Sequence, residues 1–361
     1  MLNILFRKSI PGLALALAVT ACALAASKGG EQTAGQQPEP KQEEKEVRKD
    51  EQKEAKKDGQ KEAAPQGTPV FWQGRDVASL NLLLGPGGEE MKPDLKQVTW
   101  EETLPEGYSV KWRVRDASGR KWVVKVGNEA QPETVAARLV WAAGYPTEIN
   151  YLFPCVQVVN APKPRKEVKK CDGDKGYANV RFEARPDNYQ RLEEWSWDKN
   201  PFTGTKEFAG FVVLMGLLNN WDLKDSNNKI IYVPTDGGGE LRYIVSDLGA
   251  TFGKTGNFIT HSRNEPEKYV KTGFVEKVEG GRVRFEYNGK KGGLFDAVTV
   301  EQAKWIGDIL HQLSEEQVKD AFRAANYTPQ EVEALAQEVL GRINSLHRLP
   351  APAAADATPA P

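Results

Sequence analysis

The chain has 361 residues, with 49 Lys plus Arg against 50 Asp plus Glu and a formal net charge of −1. Such a balance sets up no field that would draw the molecule onto nucleic acid or an anionic membrane surface, so neither is expected as its main partner. Three cysteines (22, 155, 171) and three histidines (261, 311, 347) lie too far apart in sequence to form a zinc-ligand pattern.

The first 22 residues read as an export signal: Arg7 and Lys8, an apolar run from Ile10 to Val19, then "VTAC" ending at Cys22. The run is shorter than the roughly 20 residues that a membrane-spanning helix needs. "VTAC" resembles a bacterial lipobox, which implies a lipid-anchored mature N-terminus at Cys22 in the bacterial cell envelope. Cleavage at Ala23–Ala25 and plain secretion or a periplasmic location is the other reading. Residues 23–67, including "KQEEKEVRKDEQKEAKKDGQKEAA", carry almost no apolar side chains and cannot offset the entropy of ordering, so a disordered charged tether is expected. The tail 350–361 is read the same way.

Between tether and tail the pattern is strands first, helices last. This predicts an α+β protein with a β-rich lobe at 68–160 and a mainly helical lobe at 161–349. "YSVKWRVRD" and "KWVVKVG" alternate as strands around the turn "DASGR". "QPETVAARLVWAAGY" is bounded as a helix by Pro132 and Gly144. Cys155 and Cys171 can pair in an oxidising compartment, closing a loop worth roughly 3 kcal/mol, or remain two thiols. Residues 204–219 form a mostly apolar stretch, predicted to be a buried helix. From Thr299 onward the spacing is helical, with Ser314 as an N-cap and Gln317 as its capping-box partner.

The segment after the buried helix, "NWDLKDSNN", favours turns, and "KIIYV" and "LRYIVS" are strand-like runs joined by "PTDGGGE". A hairpin goes out and returns, so its ends meet about 5 Å apart. Asn227 at its entry and Asp247 at its exit then arrive side by side, with Asp222 just upstream. A carboxamide and a carboxylate together suit Mg²⁺ or Mn²⁺, hard cations that complete their shell with phosphate and water.

"WDLKDSN" resembles the catalytic loop of protein kinases, and "SDLG" resembles the family's metal-binding Asp-Phe-Gly motif with Leu248 in place of Phe. Val-Lys, then Pro-Glu, then an Ala-rich helix is similar to the atypical branches, the HipA-type, phosphatidylinositol-kinase-like and secreted kinases. The resemblance covers roughly residues 105–255. It implies a two-lobed fold with an ATP site roofed by Val123 and Lys125, with Glu133 as the lysine's ion-pair partner. It also implies Asp222 as the group that orients and deprotonates an acceptor hydroxyl, Lys224 beside the transferred phosphate, and Asn227 and Asp247 as metal ligands. The implied activity is transfer of the γ-phosphate of ATP to a protein, lipid, glycan or small-molecule hydroxyl. A catalytically inactive, envelope-tethered binding module with the same cleft is the alternative. No Gly-rich phosphate loop precedes Lys125; the only local candidate is Ser118-Gly119 in the hairpin turn.

Overall fold

The computed structural model describes residues 64–257 and 259–350. The export segment with Cys22, nearly all of the tether, and the tail from 351 lie outside the described residues.

In chain order the strands begin with β1 (Thr68–Val70), β2 (Thr99–Leu104), β3 (Val110–Arg115) and β4 (Lys121–Val126). Helix α1 (Ala130–Ala142) precedes β5 (Asn150–Val156), β6 (Lys170–Cys171), β7 (Gly176–Ala184) and β8 (Gln190–Arg191). Then come α2 (Lys206–Leu217) and the hairpin β9 (Asn228–Thr235) and β10 (Gly238–Val245). The short α3 (Pro266–Tyr269), a second hairpin β11 (Val275–Glu279) and β12 (Arg282–Phe285), and helices α4 (Val300–Leu310), α5 (Glu315–Arg323) and α6 (Pro329–His347) complete the chain.

Two larger sheets organise these elements, with β11 and β12 forming a separate two-stranded sheet. One runs β2-β3-β4-β7-β5, with β6 on the side of β7; the other runs β1-β10-β9-β8. In the first, strand alternation separates two chemistries. Val110, Trp112 and Val114 of β3, Trp122, Val124 and Val126 of β4, and Val180 and Phe182 of β7 fill an apolar core on one face. Successive side chains of a strand point to opposite faces. Lys111, Arg113, Val123, Lys125, Arg181 and Glu183 therefore share the other face, toward α1 and the helical lobe. A larger core unites one side of α1 with α2, α4, α5 and α6. Helix α2 lies inside it and is apolar almost all round, as a fully buried helix must be. Ser314 and Gln317 form the capping box at the start of α5, and Thr299 and Thr328 cap α4 and α6 in the same way.

The lobe boundary does not fall at 160/161. Strand β7 continues the first sheet to Ala184, because residues 157–169 are an excursion whose ends are joined by a Cys155–Cys171 disulfide (S–S 2.05 Å). The start of the segment 68–160 also departs from the expectation. β1 pairs in parallel with β10 of the second sheet, and Phe71, Val77 and Leu82 pack in the helical lobe's core.

Candidate active site

Four local structures build one cleft of about 580 Å³ between the first sheet and the helical lobe; three line it, and the buried end of β4 backs its wall at Asp247. The first is the end of β4. Lys125 is 1% exposed, yet it sits away from the apolar core, because alternation turns it to the α1 side. Its Nζ lies 2.5 Å from Glu133 Oε2, 3.2 Å from Asp247 Oδ1 and 3.7 Å from Glu129 Oε2. Burial alone would lower the lysine's pKa, but the Asp247 and Glu133 carboxylates outweigh it and hold the ammonium above its usual range. The short gap from Lys125 to Glu133 follows from a tight connection. Gly127, at φ 124°, turns the chain directly into α1, whose first turn carries Glu133 back over the strand.

Glu133 has a second cation that the sequence did not reveal: Arg181 Nη2 lies 3.3 Å from its Oε1 and 2.6 Å from Glu183 Oε2. Burial pushes the Glu133 carboxyl up, to about 7, against the opposing pull of Arg181 and Lys125.

The second local structure is the loop after α2. A short 3₁₀ turn, Asp225–Asn227, leads into β9. Asn227 Nδ2 donates to the Asp222 carbonyl (2.7 Å), leaving its Oδ1 as the atom a cation would use. Asp222 is held by two lysines, with Lys224 Nζ 2.7 Å from Oδ2 and Lys290 Nζ 2.8 Å from Oδ1. Its burial raises the carboxyl's pKa, but these two ammonium groups reverse the shift and leave it below the ordinary value.

The third is the returning hairpin. Asn228 pairs with Val245, and the Asn227 carbonyl accepts from Ser246 N (2.8 Å) and Asp247 N (3.3 Å). Asn227 and Asp247 are therefore neighbours across the base of the hairpin. Asp247 Oδ1 also accepts from Gly249 N (3.2 Å), and Oδ2 faces Lys111 Nζ at 3.9 Å. Burial acts to raise its carboxyl, but Lys125 and Lys111 depress it well below the usual carboxylate range. Among the described residues no group of three or more His, Cys, Asp or Glu is placed to hold a metal. A carboxylate plus a carboxamide nevertheless fits Mg²⁺, which takes its remaining ligands from phosphate and water.

The fourth is the β2–β3 turn at 105–109, where Gly107 (φ 81°) and Tyr108 line the cleft. This turn, and not Ser118-Gly119, reaches the cleft. Those two residues sit in the β3–β4 turn, tied to Asp116 by Ser118 N→Oδ1 (2.9 Å) and Gly119 N→O (3.0 Å). Lys125 lies at the opposite end of β4, six residues or roughly 20 Å away. Strand β2 was not expected, because "TWEETL" places Glu101 and Glu102 where a strand pattern would want apolar residues. Both are paired across the ladder, with Arg115 and Arg113.

The far wall is built from chain-distant segments. Trp221 stacks on His261 (3.7 Å between centroids) and donates Nε1–H to the Ser262 carbonyl (2.9 Å). Arg263 pairs with Glu129 and lies over both Tyr108 (4.6 Å) and Trp221 (4.9 Å). Lys290 is carried on a segment laced to the loop after α2 by Lys290 N→Trp221 O (2.9 Å) and Tyr287 Oη→Asn220 O (2.7 Å). Val123 is 5% exposed and does not line the cleft; its cross-strand partner is Glu183, itself ion-paired with Arg181 and Arg185.

No protein-family model matches the chain, and no curated protein matches it. Several solved kinase structures resemble it. A Helicobacter pylori proinflammatory kinase, CtkA, matches at 12% identity over 71% of this chain and 97% of that one, with a TM-score of 0.42. The Golgi casein kinase matches at 10% identity over 75% of each chain, with a TM-score of 0.38. Hydra Fam20, solved with sugar, matches at 11% identity over 71% of this chain and 86% of that one, with a TM-score of 0.37. At TM-scores below 0.5 these likenesses carry no argument about activity, which rests on the geometry above.

Proposed function

We propose that the chain is an atypical member of the protein kinase-like superfamily that transfers the γ-phosphate of ATP to a hydroxyl group. The observation that carries this reading is one cleft lined by Asp247 and the Asp222–Lys224–Asn227 loop, with the buried Lys125–Glu133 pair directly behind Asp247. Lys125, oriented by Glu133, engages the nucleotide phosphates, and the 105–109 turn covers them. Asn227 and Asp247 would hold Mg²⁺ or Mn²⁺, which neutralises charge on the phosphate oxygens. Asp222 orients the acceptor hydroxyl and takes its proton as the new O–P bond forms. The bond from the γ-phosphorus to the bridging oxygen breaks, and ADP leaves. Lys224 sits beside the transferred group. In the same reading Cys22, outside the described residues, carries the lipid that keeps the enzyme at the cell envelope.

One observation favours a second reading, a binding module without transfer. The roof beside Val123 is charged, with Glu183 opposite and ion-paired, where an apolar surface would suit a purine ring. Thermal melting of the protein with Mg²⁺ and ATP separates the two. Nucleotide at 100 times its dissociation constant should stabilise by about 2.7 kcal/mol. Asp247→Ala should remove the metal-dependent part, and Asp222→Asn should keep binding while losing transfer. Cooperative melting with no shift for any nucleotide sinks the kinase reading, and transfer retained in Asp222→Asn sinks the role given to that residue.

A further inference from the structure

A turn that offers backbone N–H groups to a phosphate must hold its carbonyls on the opposite side. In the 105–109 turn three carbonyls are held by one side chain. Arg165 donates from Nη1 to Pro105 O (2.8 Å) and from Nη2 to Gly107 O (2.6 Å) and Ser109 O (2.8 Å). The planar fork of a guanidinium can reach several acceptors at once, and an ammonium cannot span them in the same way. Lys166, the next residue, lies 3.7 Å from the centre of the Tyr108 ring, on the same turn. Ser109 Oγ donates to Glu129 Oε2 (2.6 Å), which ties the turn's end to the start of α1.

Arg165 and Lys166 belong to the 157–169 excursion. The Cys155–Cys171 bond closes that excursion over a separation of 16 residues. A closed loop has fewer conformations than an open one, so its tip loses less entropy when it docks on the turn. The turn has a single glycine in "PEGYS", and the clamp adds three hydrogen bonds that hold its carbonyls in place.

We propose that Arg165, presented by the disulfide-closed loop, is a positioning residue that pre-organises the 105–109 turn for nucleotide, and that opening the Cys155–Cys171 bond weakens nucleotide binding. The proposal rests on the reading of the cleft as a nucleotide site. Arg165 touches no nucleotide itself; it acts through the turn.

The test compares wild type, Arg165→Ala, Arg165→Lys and the Cys155→Ala/Cys171→Ala double variant. Hydrogen exchange of the 106–111 amides is followed without nucleotide, and Mg²⁺–ATP affinity is measured by calorimetry. In Arg165→Ala, exchange in the turn should accelerate about tenfold and the dissociation constant should rise about tenfold, a common size for coupling between neighbouring sites. KM for ATP should rise by more than kcat falls. Arg165→Lys should recover part of each effect, and the cysteine double variant should move both in the same direction as Arg165→Ala. Unchanged exchange in Arg165→Ala overturns the clamp. Faster exchange with unchanged affinity overturns the link from clamp to nucleotide. A wild-type chain that binds no nucleotide removes the reading of the cleft, and the exchange data then decide the clamp alone.

Discussion

Lys125→Met tests the buried ion network through its pH dependence. The substitution keeps most of the stem's volume and removes an ammonium that serves Glu133 at 2.5 Å and Asp247 at 3.2 Å. Asp247 is 32% exposed, so its share of the loss is screened and amounts to about 1 kcal/mol at any pH where the carboxylate is ionised. Glu133 behaves differently. Its carboxyl is raised from 4.5 to about 7 in the folded chain, so it keeps its proton there after the unfolded chain has released it. That contribution to stability is fully present below the unfolded value and is lost as pH rises through the folded one. Without Lys125 the folded value climbs further. Below about pH 6 both proteins hold a neutral Glu133 and the variant should be weaker by only about 1 kcal/mol. Above pH 7 the variant must either keep the proton or bury an underpaired carboxylate. Its penalty should then grow by up to about 1.4 kcal/mol per pH unit and approach 3 kcal/mol near pH 8.5. Urea unfolding of both proteins from pH 5.5 to 8.5 measures the difference directly. A penalty that is flat with pH would show that Glu133 is not the titrating partner. One that falls with rising pH would contradict the network as described.

Two further perturbations probe how the helical lobe supports the site. Arg342, 3% exposed on α6, donates to Leu217 O (3.0 Å), Asn219 Oδ1 (2.9 Å) and Thr272 Oγ1 (2.7 Å), fixing the exit of α2 just before the Asp222–Asn227 loop. Arg342→Met should cost about 3 kcal/mol through unpaired buried acceptors, lowering Tm by roughly 5 °C in a scanning melt; a shift under 2 °C would mean the acceptors find other partners. Lys290→Met should lower kcat/KM for the acceptor about tenfold or more by freeing Asp222, while leaving Mg²⁺–ATP affinity alone. Gly289→Ala should do the same by geometry, since its Cβ would stand 2.7 Å from the Trp221 Cα; normal acceptor kinetics in both variants would remove Lys290 from the site.

What the sequence disclosed about this cleft, and what it withheld, divides by chemistry. Asp222, Asn227 and Asp247 were legible because a turn and a local hairpin bring them together, and the Asn228–Val245 pairing needs no distant information. Lys125 and Glu133 were legible because one strand and the helix directly after it hold both. The residues that were missed are cations from far along the chain: Arg181 beyond the disulfide excursion, and Lys290 on the segment that follows β12. The 105–109 turn was missed for a related reason, since the strand leading into it displays acids whose arginine partners lie across the ladder. Yet their number, if not their identity, follows from physics. Buried carboxylates persist only when paired and hydrogen-bonded. A site with Asp222, Asp247 and Glu129 on its walls and Glu133 buried behind them therefore had to recruit several cations besides Lys125 and Lys224, and the fold draws them from whichever segments pass the cleft.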